Sequence, residues 1–206
     1  MILITVIYSV KKSFQKMVAK KISLALQSRT PSNFSGGQYQ PAAVLIPVQE
    51  REDGDHIVLT KRAEHLSRHR GQIAFPGGRV DAGDAGELEA ALRESQEEIG
   101  LDPAHVNVLG RMDQVMAAYG YVVTPFVGMV PPDYEFRPNP AETAAVFSVP
   151  IDVLLEPKNL SLADHGWSNG ATVYHFQYKH WDIWGATANM IVQFLDVVYG
   201  YRAPKN

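Results

Sequence analysis

The chain contains no cysteine. That excludes disulfides, thiolate metal sites and a cysteine nucleophile, so any chemistry falls to oxygen and nitrogen groups. A basic balance is also missing: 19 Lys+Arg stand against 22 Asp+Glu, for a formal charge of −3. A large phosphate-backbone footprint is therefore not expected, and neither is polymeric nucleic acid as a partner. Acidic residues are absent before Glu50, whereas Lys11, Lys12, Lys16, Lys20, Lys21 and Arg29 all fall there. No long hydrophobic run is present either. The apolar stretch of "MILITVIYSVKK" is too short to span a bilayer. Its charges follow it rather than precede it and no small-residue cleavage site is evident, so it makes a poor secretory signal. A cytoplasmic location is expected. There is no internal repeat and no low-complexity tract.

What remains is a chain of 206 residues, 46% hydrophobic and 20% charged, long enough to bury a core as one α/β unit. Phe14, Met17, Val18, Ile22 and Ala25 have the spacing of an amphipathic helix. Such a helix docks on its own domain, lies on anionic lipid or serves as an organelle presequence, and docking is the expectation. Met17 is a second candidate for the natural start. "SNFSGGQYQP" reads as a flexible connection, which divides the chain into a basic helix and linker over 1–38 and a folded domain over 39–206. "AAVLIPV" and "HIVLTKR", separated by the polar "QEREDGD", predict an antiparallel pair of strands. Further strands are expected at "VNVLGRMDQV", "YVVTPFVGMV" and "ATVYHFQY", with a short helix from Ile151 to Leu155 and a final helix from Gly185 to Tyr199.

The stretch "FPGGRVDAGDAGELEAALRESQEEIGL", residues 75–101, carries the chemistry. Asp84 followed by Glu87 predicts a capping box, and Gly100 followed by Pro103 predicts a stop, giving a helix over 85–99. Leu88, Leu92, Ser95 and Ile99 are expected to face the core, and Glu94, Glu97 and Glu98 to project on another side with no lysine or arginine interleaved. Acidic runs are commonly just solvated faces, and like charges at this spacing cost only about 0.2–0.5 kcal/mol per pair. The preceding glycine pair favours a second reading. "FPGG" supplies a turn whose backbone approaches a ligand closely, and three carboxylates at i, i+3 and i+4 can grip magnesium or manganese through oxygen. Metal ions so held bridge carboxylates to a diphosphate and acidify an attacking water.

Gly78, five residues, Asp84, eight residues, then "REsqEEiGl" from Arg93 to Leu101 resembles the signature of the Nudix hydrolases, which cleave nucleoside diphosphates linked to another group. Two positions depart from the usual pattern: the interval before Arg93 is one residue longer, and Ser95 stands at an aliphatic or small position. The longer interval is similar to that of the coenzyme A pyrophosphatase branch. "VLTKRAEHLSRHRGQIAFPGG", residues 58–78, resembles that branch's second signature, with Ser67 where an arginine is usual and Arg68 beside it. The likeness continues through "GYVVTPFVGMVPP", "ETAAVF" and "WGATA".

The resemblance implies an α/β/α sandwich with a mixed β-sheet. It implies Glu97 and Glu98 as the main metal ligands, Glu94 as a ligand or the general base, the Gly78 carbonyl completing the metal shell, and Arg93 orienting the glutamates by an ion pair. Glu142, in "AETAAVF", is the rival candidate for the base. Asp84 is a box acid or a helix cap. Arg62, Arg68 and Arg70 are candidates for substrate phosphates, with Arg68 replacing the arginine missing at Ser67. His65 and His69 are either part of this segment's ligand contacts or loop histidines, and neither is assigned to catalysis. Tyr119, Tyr121, Trp181 and Trp184 stack on adenine or belong to the core. The implied reaction is hydrolysis of coenzyme A or acyl-CoA with Mg2+ or Mn2+, giving 3′,5′-ADP and 4′-phosphopantetheine or its acyl form. Alternatives are another nucleoside diphosphate derivative, such as ADP-ribose or a dinucleotide, and a Nudix module that senses a nucleotide without cleaving it. The expected partner is a small nucleotide, in a monomer or homodimer.

Overall fold

A computed structural model describes residues 17–163 and 173–204. The segment "MILITVIYSVKK" and Phe14 lie outside the described residues, as do Ala171 and Thr172 of the expected strand "ATVYHFQY". The first described helix, α1 over 17–27, turns Ile22 and Leu26 inward, at 0% and 5% exposure. These two positions lie one turn apart on one face.

Strands β1 (Gln40–Arg51) and β2 (Gly54–Arg62) form the expected antiparallel hairpin, Arg51 facing Gly54 across a two-residue turn. β1 is buried on both faces along most of its length, which is why it reads as a continuous apolar run rather than an alternating one. Short strands β3 (Ile73–Ala74) and β4 (Gly77–Arg79) follow, and β4 pairs with β1. Helix α2 (Glu87–Ile99) comes next. The expected strand "VNVLGRMDQV" is two pieces, β5 (Asn107–Arg111) and β6 (Val115–Met116), both on β7 (Tyr121–Met129). The register slips between Val108 and Gly110, and in the gap between β5 and β6 the Asp113 amide goes to the Gln193 side chain at 3.0 Å.

β1 and β7 run parallel while the other pairings are antiparallel, so the sheet is mixed. β8 (Thr143–Pro150) closes it on β2 and leads into α3 (Ile151–Leu155). A smaller sheet holds β9 (Leu160–Ala163), β10 (Val173–Tyr178) and β11 (Trp181–Trp184). Helix α4 (Gly185–Tyr199) ends at left-handed Gly200. On one face of the large sheet Ala90, Ala91 and Ile99 of α2 pack with Ala43, Leu45 and Phe126. On the other, α4 residues such as Ile191 and Phe194 share a core with Ile22, Leu26, Ile46 and Val127. The mixed sheet is thus flanked by helices.

Four local expectations for α2 are corrected. The helix begins at Glu87, two residues after the expected start, behind Gly86 with no side-chain cap. The capping box does not form because its members are engaged elsewhere. Asp84 accepts from the Asp81 amide (2.8 Å) and from Arg93, while the Glu87 carboxylate takes the Thr124 hydroxyl at 2.7 Å. The inward face is Ala90, Ala91, Ser95, Glu98 and Ile99, and Leu88 lies outside. Two alanines let the helix approach β1 closely, and that contact rotates the leucine outward. The acidic face also has its cation: Arg93 reaches Glu97 one turn along, at 3.1 Å.

Candidate active site

The site is assembled on β4. A side chain at Gly77, whose φ is +152, would strike the Ala43 carbonyl and lie 2.6 Å from Val44 Cα, so glycine is what permits β4 to lie against β1. Its amide donates to Glu98 Oε2 at 3.2 Å. At Gly78 a Cβ would come within 2.5 Å of Glu94 Oε1. The second glycine therefore leaves the space that a carboxylate occupies.

Glu98 is 3% exposed. Besides the Gly77 amide it accepts from Arg62 Nη1 at 3.3 Å. Burial pushes its pKa up to about 7, helped by the charges of Glu94 and Glu142 and opposed by the Gly77 amide and Arg62. Burial also raises Glu94, against the pull of Arg93. The third acid arrives from a distant segment. Arg137 and Asn139 donate their amides to the carbonyls of Ile99 (2.8 Å) and Glu98 (2.9 Å), and the Ala63 amide donates to the Glu142 carbonyl at 2.8 Å. These main-chain bonds fasten the residues before β8 between the end of α2 and the end of β2. One oxygen each from Glu94, Glu98 and Glu142 then falls within 4.8 Å of the others.

Glu97 stands apart from this group, about half exposed, on Arg93. Arg93 grips Asp84 through Nε at 2.9 Å and Nη2 at 3.1 Å, Glu94 at 3.0 Å, and the Arg79 carbonyl at 3.1 Å. The guanidinium holds Asp84 below the ordinary carboxylate range. Of the candidate phosphate ligands, Arg62 lies on Glu98 with its Nε buried and unpaired. Arg68 is exposed, its guanidinium 5.3 Å from the Tyr119 ring centre. Arg70 faces a cavity that Trp181 and Trp184 also line. Tyr121 packs against the main core. His65 Nε2 lies 3.0 Å from the Ala141 carbonyl and His69 Nδ1 2.8 Å from Gln72 Oε1, so both brace loops.

The donor set suits a hard divalent cation. It is made of carboxylate oxygens, one carboxyl almost fully buried, in a cradle that a side chain at position 78 would fill. Sequence alone gives no signal for the Ala63–Glu142 bond or for the Gly77 amide as a partner of Glu98, because both depend on chain paths remote from the motif.

A sequence model of the NUDIX domain matches residues 38–168. Proteins named uncharacterized Nudix hydrolase NudL, from Salmonella paratyphi B and Salmonella newport, are each 42% identical over 151 residues, covering 73% of this chain and 78% of theirs. The crystal structure of a MutT/nudix family protein from Enterococcus faecalis shares the fold, with a TM-score of 0.50 and 15% identity over 88% of this chain and 70% of that one. The domain match and the relatives agree with the carboxylate-bearing helix behind a glycine strand, and the chain belongs to the Nudix hydrolases, enzymes that act on pyrophosphate bonds.

Proposed function

We propose that the protein hydrolyses the diphosphate of coenzyme A or acyl-CoA to 3′,5′-ADP and 4′-phosphopantetheine or its acyl form. Mg2+ or Mn2+ would be held by Glu94 and Glu98, with Glu97 and the Gly78 carbonyl as further oxygen donors and the Glu142 carboxylate beside them. The observation that carries this reading is the convergence of three carboxylates within 4.8 Å against the strand that the second signature builds. Residues 58–78, the segment resembling the coenzyme A branch, form the wall of the cluster: Arg62 and the Gly77 amide both bond Glu98.

A divalent cation bound there supplies charge stabilisation at the diphosphate oxygens and lowers the pKa of an attacking water. Arg93 fixes the Glu94 carboxylate by a charge-assisted bond. Glu142 makes no ion pair among the described residues, so its carboxylate is the one free to accept a proton, and it acts as general base. Arg68, exposed on the loop after β2, meets the 3′-phosphate, the group that separates coenzyme A from its dephospho form.

The test is turnover of coenzyme A, dephospho-coenzyme A, ADP-ribose and a dinucleoside polyphosphate, with and without Mg2+ or Mn2+. Coenzyme A is expected to lead, only with metal. A charge-assisted contact is worth about 1.5–3 kcal/mol, so Arg68→Ala is expected to lower kcat/KM for coenzyme A by about tenfold to hundredfold and to spare the dephospho form. A wild-type preference for ADP-ribose or the dinucleotide overturns the coenzyme A assignment. Equal loss on both coenzyme A forms overturns the role of Arg68.

A further inference from the structure

The sequence makes Arg62 a candidate for substrate phosphate, yet its side chain is turned to Glu98, with Nη1 3.3 Å from Oε1. We propose that Arg62 is a positioning residue of the metal site. It fixes the plane of the Glu98 carboxylate so that each oxygen keeps a lone pair open to a divalent cation, and it does not touch substrate. The proposal rests on the reading that the cluster of Glu94, Glu98 and Glu142 is the metal centre.

The terminal torsion of a glutamate is broad and roughly two-fold, so one hydrogen bond does not hold a carboxylate plane. Glu98 has two, on different oxygens: the Gly77 amide donates to Oε2 at 3.2 Å and Arg62 to Oε1 at 3.3 Å. An ionised carboxylate has about four acceptor sites, so about two stay open. The Gly77 donor is fixed by the pairing of β4 with β1. Arg62 supplies the second fixed point. Among the described residues it is the only cation within ion-pair distance of Glu98. The arginine of the helix itself, Arg93, is engaged by Asp84, Glu94, Glu97 and the Arg79 carbonyl.

The main chain sets Arg62 in this place. The register of β2 on β8 slips between Lys61, which faces Ala145, and Arg62, which faces Thr143. Such bulges re-aim side chains next to active sites. The Arg62 amide donates to the Gln72 carbonyl at 3.0 Å, and the next amide, of Ala63, to the Glu142 carbonyl at 2.8 Å. Gln72 leads into the strands that carry Gly77, and Glu142 is the third acid. Arg62 thus sits where the segments delivering two members of the site meet the end of β2, and its bond to Glu98 ties α2 to the same junction. Its side chain is 27% exposed, so most of it is covered by protein, whereas Arg68 lies open.

The bond to Glu98 is also single. Nε is buried with no partner, so the planar fork is not used, and a charge with one N–H does the work. Lysine provides both. Arg93 grips Asp84 through two nitrogens and does use its fork. Replacement by lysine therefore separates the two arginines.

Mn2+ alone is titrated into the full chain without nucleotide, and the free ion is read by its electron paramagnetic resonance. Altering a group that orients a metal ligand typically costs 10–100-fold in affinity, so Arg62→Ala is expected to weaken Mn2+ binding by about tenfold to hundredfold. Arg62→Lys is expected to recover most of that loss, unlike Arg93→Lys. Turnover of whichever nucleotide the wild type cleaves best is followed as Mn2+ is raised: in Arg62→Ala the kcat is expected to return toward the wild-type value, with KM for the nucleotide unchanged. Should Arg62→Ala fail to fold by circular dichroism, Arg62→Gln, which keeps a polar end without the charge, carries the same expectation. Unchanged Mn2+ affinity in the neutral variant, a KM for nucleotide that stays raised at saturating Mn2+, or a loss that Arg62→Lys does not lessen would each overturn the proposal. Absence of Mn2+ binding by the wild type sinks the metal centre itself, whereas wild-type binding that the neutral variant leaves intact sinks the role of Arg62 alone.

Discussion

Gly77 and Gly78 are neighbours under different obligations. At Gly77 an added methyl meets the backbone of β1, at the Ala43 carbonyl and Val44 Cα, with φ in a region open chiefly to glycine. Backbone cannot step aside, so Gly77→Ala is expected to destabilise the fold by several kcal/mol, as large values follow from strain and overpacking. At Gly78 the methyl meets the tip of the Glu94 side chain, which can swing away. Gly78→Ala is expected to melt near the wild type while losing metal affinity and turnover. Thermal denaturation alongside metal titration checks both. Equal melting temperatures for the two variants would contradict the assignment of one glycine to packing and the other to the site.

At the scale of elements, α2 is tied to the loop before it by a single guanidinium that bonds Asp84, Glu94, Glu97 and the Arg79 carbonyl. Lysine carries the charge but lacks the planar fork. Groups that orient metal ligands typically cost 10–100-fold when altered, so Arg93→Lys is expected to weaken metal binding by about tenfold or more with the helix retained, as calorimetry and circular dichroism would read. The β1–β2 hairpin gives a pH test far from the site. Asp55 stands opposite Glu50 in the register and accepts from the Tyr199 hydroxyl at 3.2 Å. Burial raises its pKa above the ordinary value, the Tyr199 bond and Lys21 opposing. Because the folded value is the higher one, the stability contributed by protonated Asp55 is complete below the unfolded pKa and is lost as pH rises through the folded pKa. Asp55→Asn is therefore expected to raise the melting temperature at neutral pH, the gain shrinking toward zero as pH falls to the ordinary carboxylate range. A gain that grows on acidification would reverse the sign of the argument.

Over the whole molecule, α1 and the sheet share one core, since Ile22 and Leu26 are buried with residues of β1, β7 and α4. Ile22→Ala is expected to cost about 2–5 kcal/mol, seen in denaturant as a single transition at lower midpoint. A separate early transition would show that the helix unfolds independently. The sequence by itself determined the chemical alphabet, oxygen and nitrogen without sulfur, and the elements whose periodicity is local: the hairpin, the body of α2 with its Gly100 stop, and α4. It also carried the spacing of Glu94, Glu97 and Glu98. Only the tertiary structure decided which acids meet. Glu142 joins Glu94 and Glu98 through main-chain bonds to Ala63 and Glu98, and no local pattern encodes a contact between segments so far apart in the chain. The same holds for the faces of α2. Helical spacing names which residues share a side, but close approach of Ala90 and Ala91 to β1 turned Leu88 outward and Glu98 in. A buried carboxylate is tolerated there because packing delivers a backbone amide, an arginine and room for a cation to the same few ångströms.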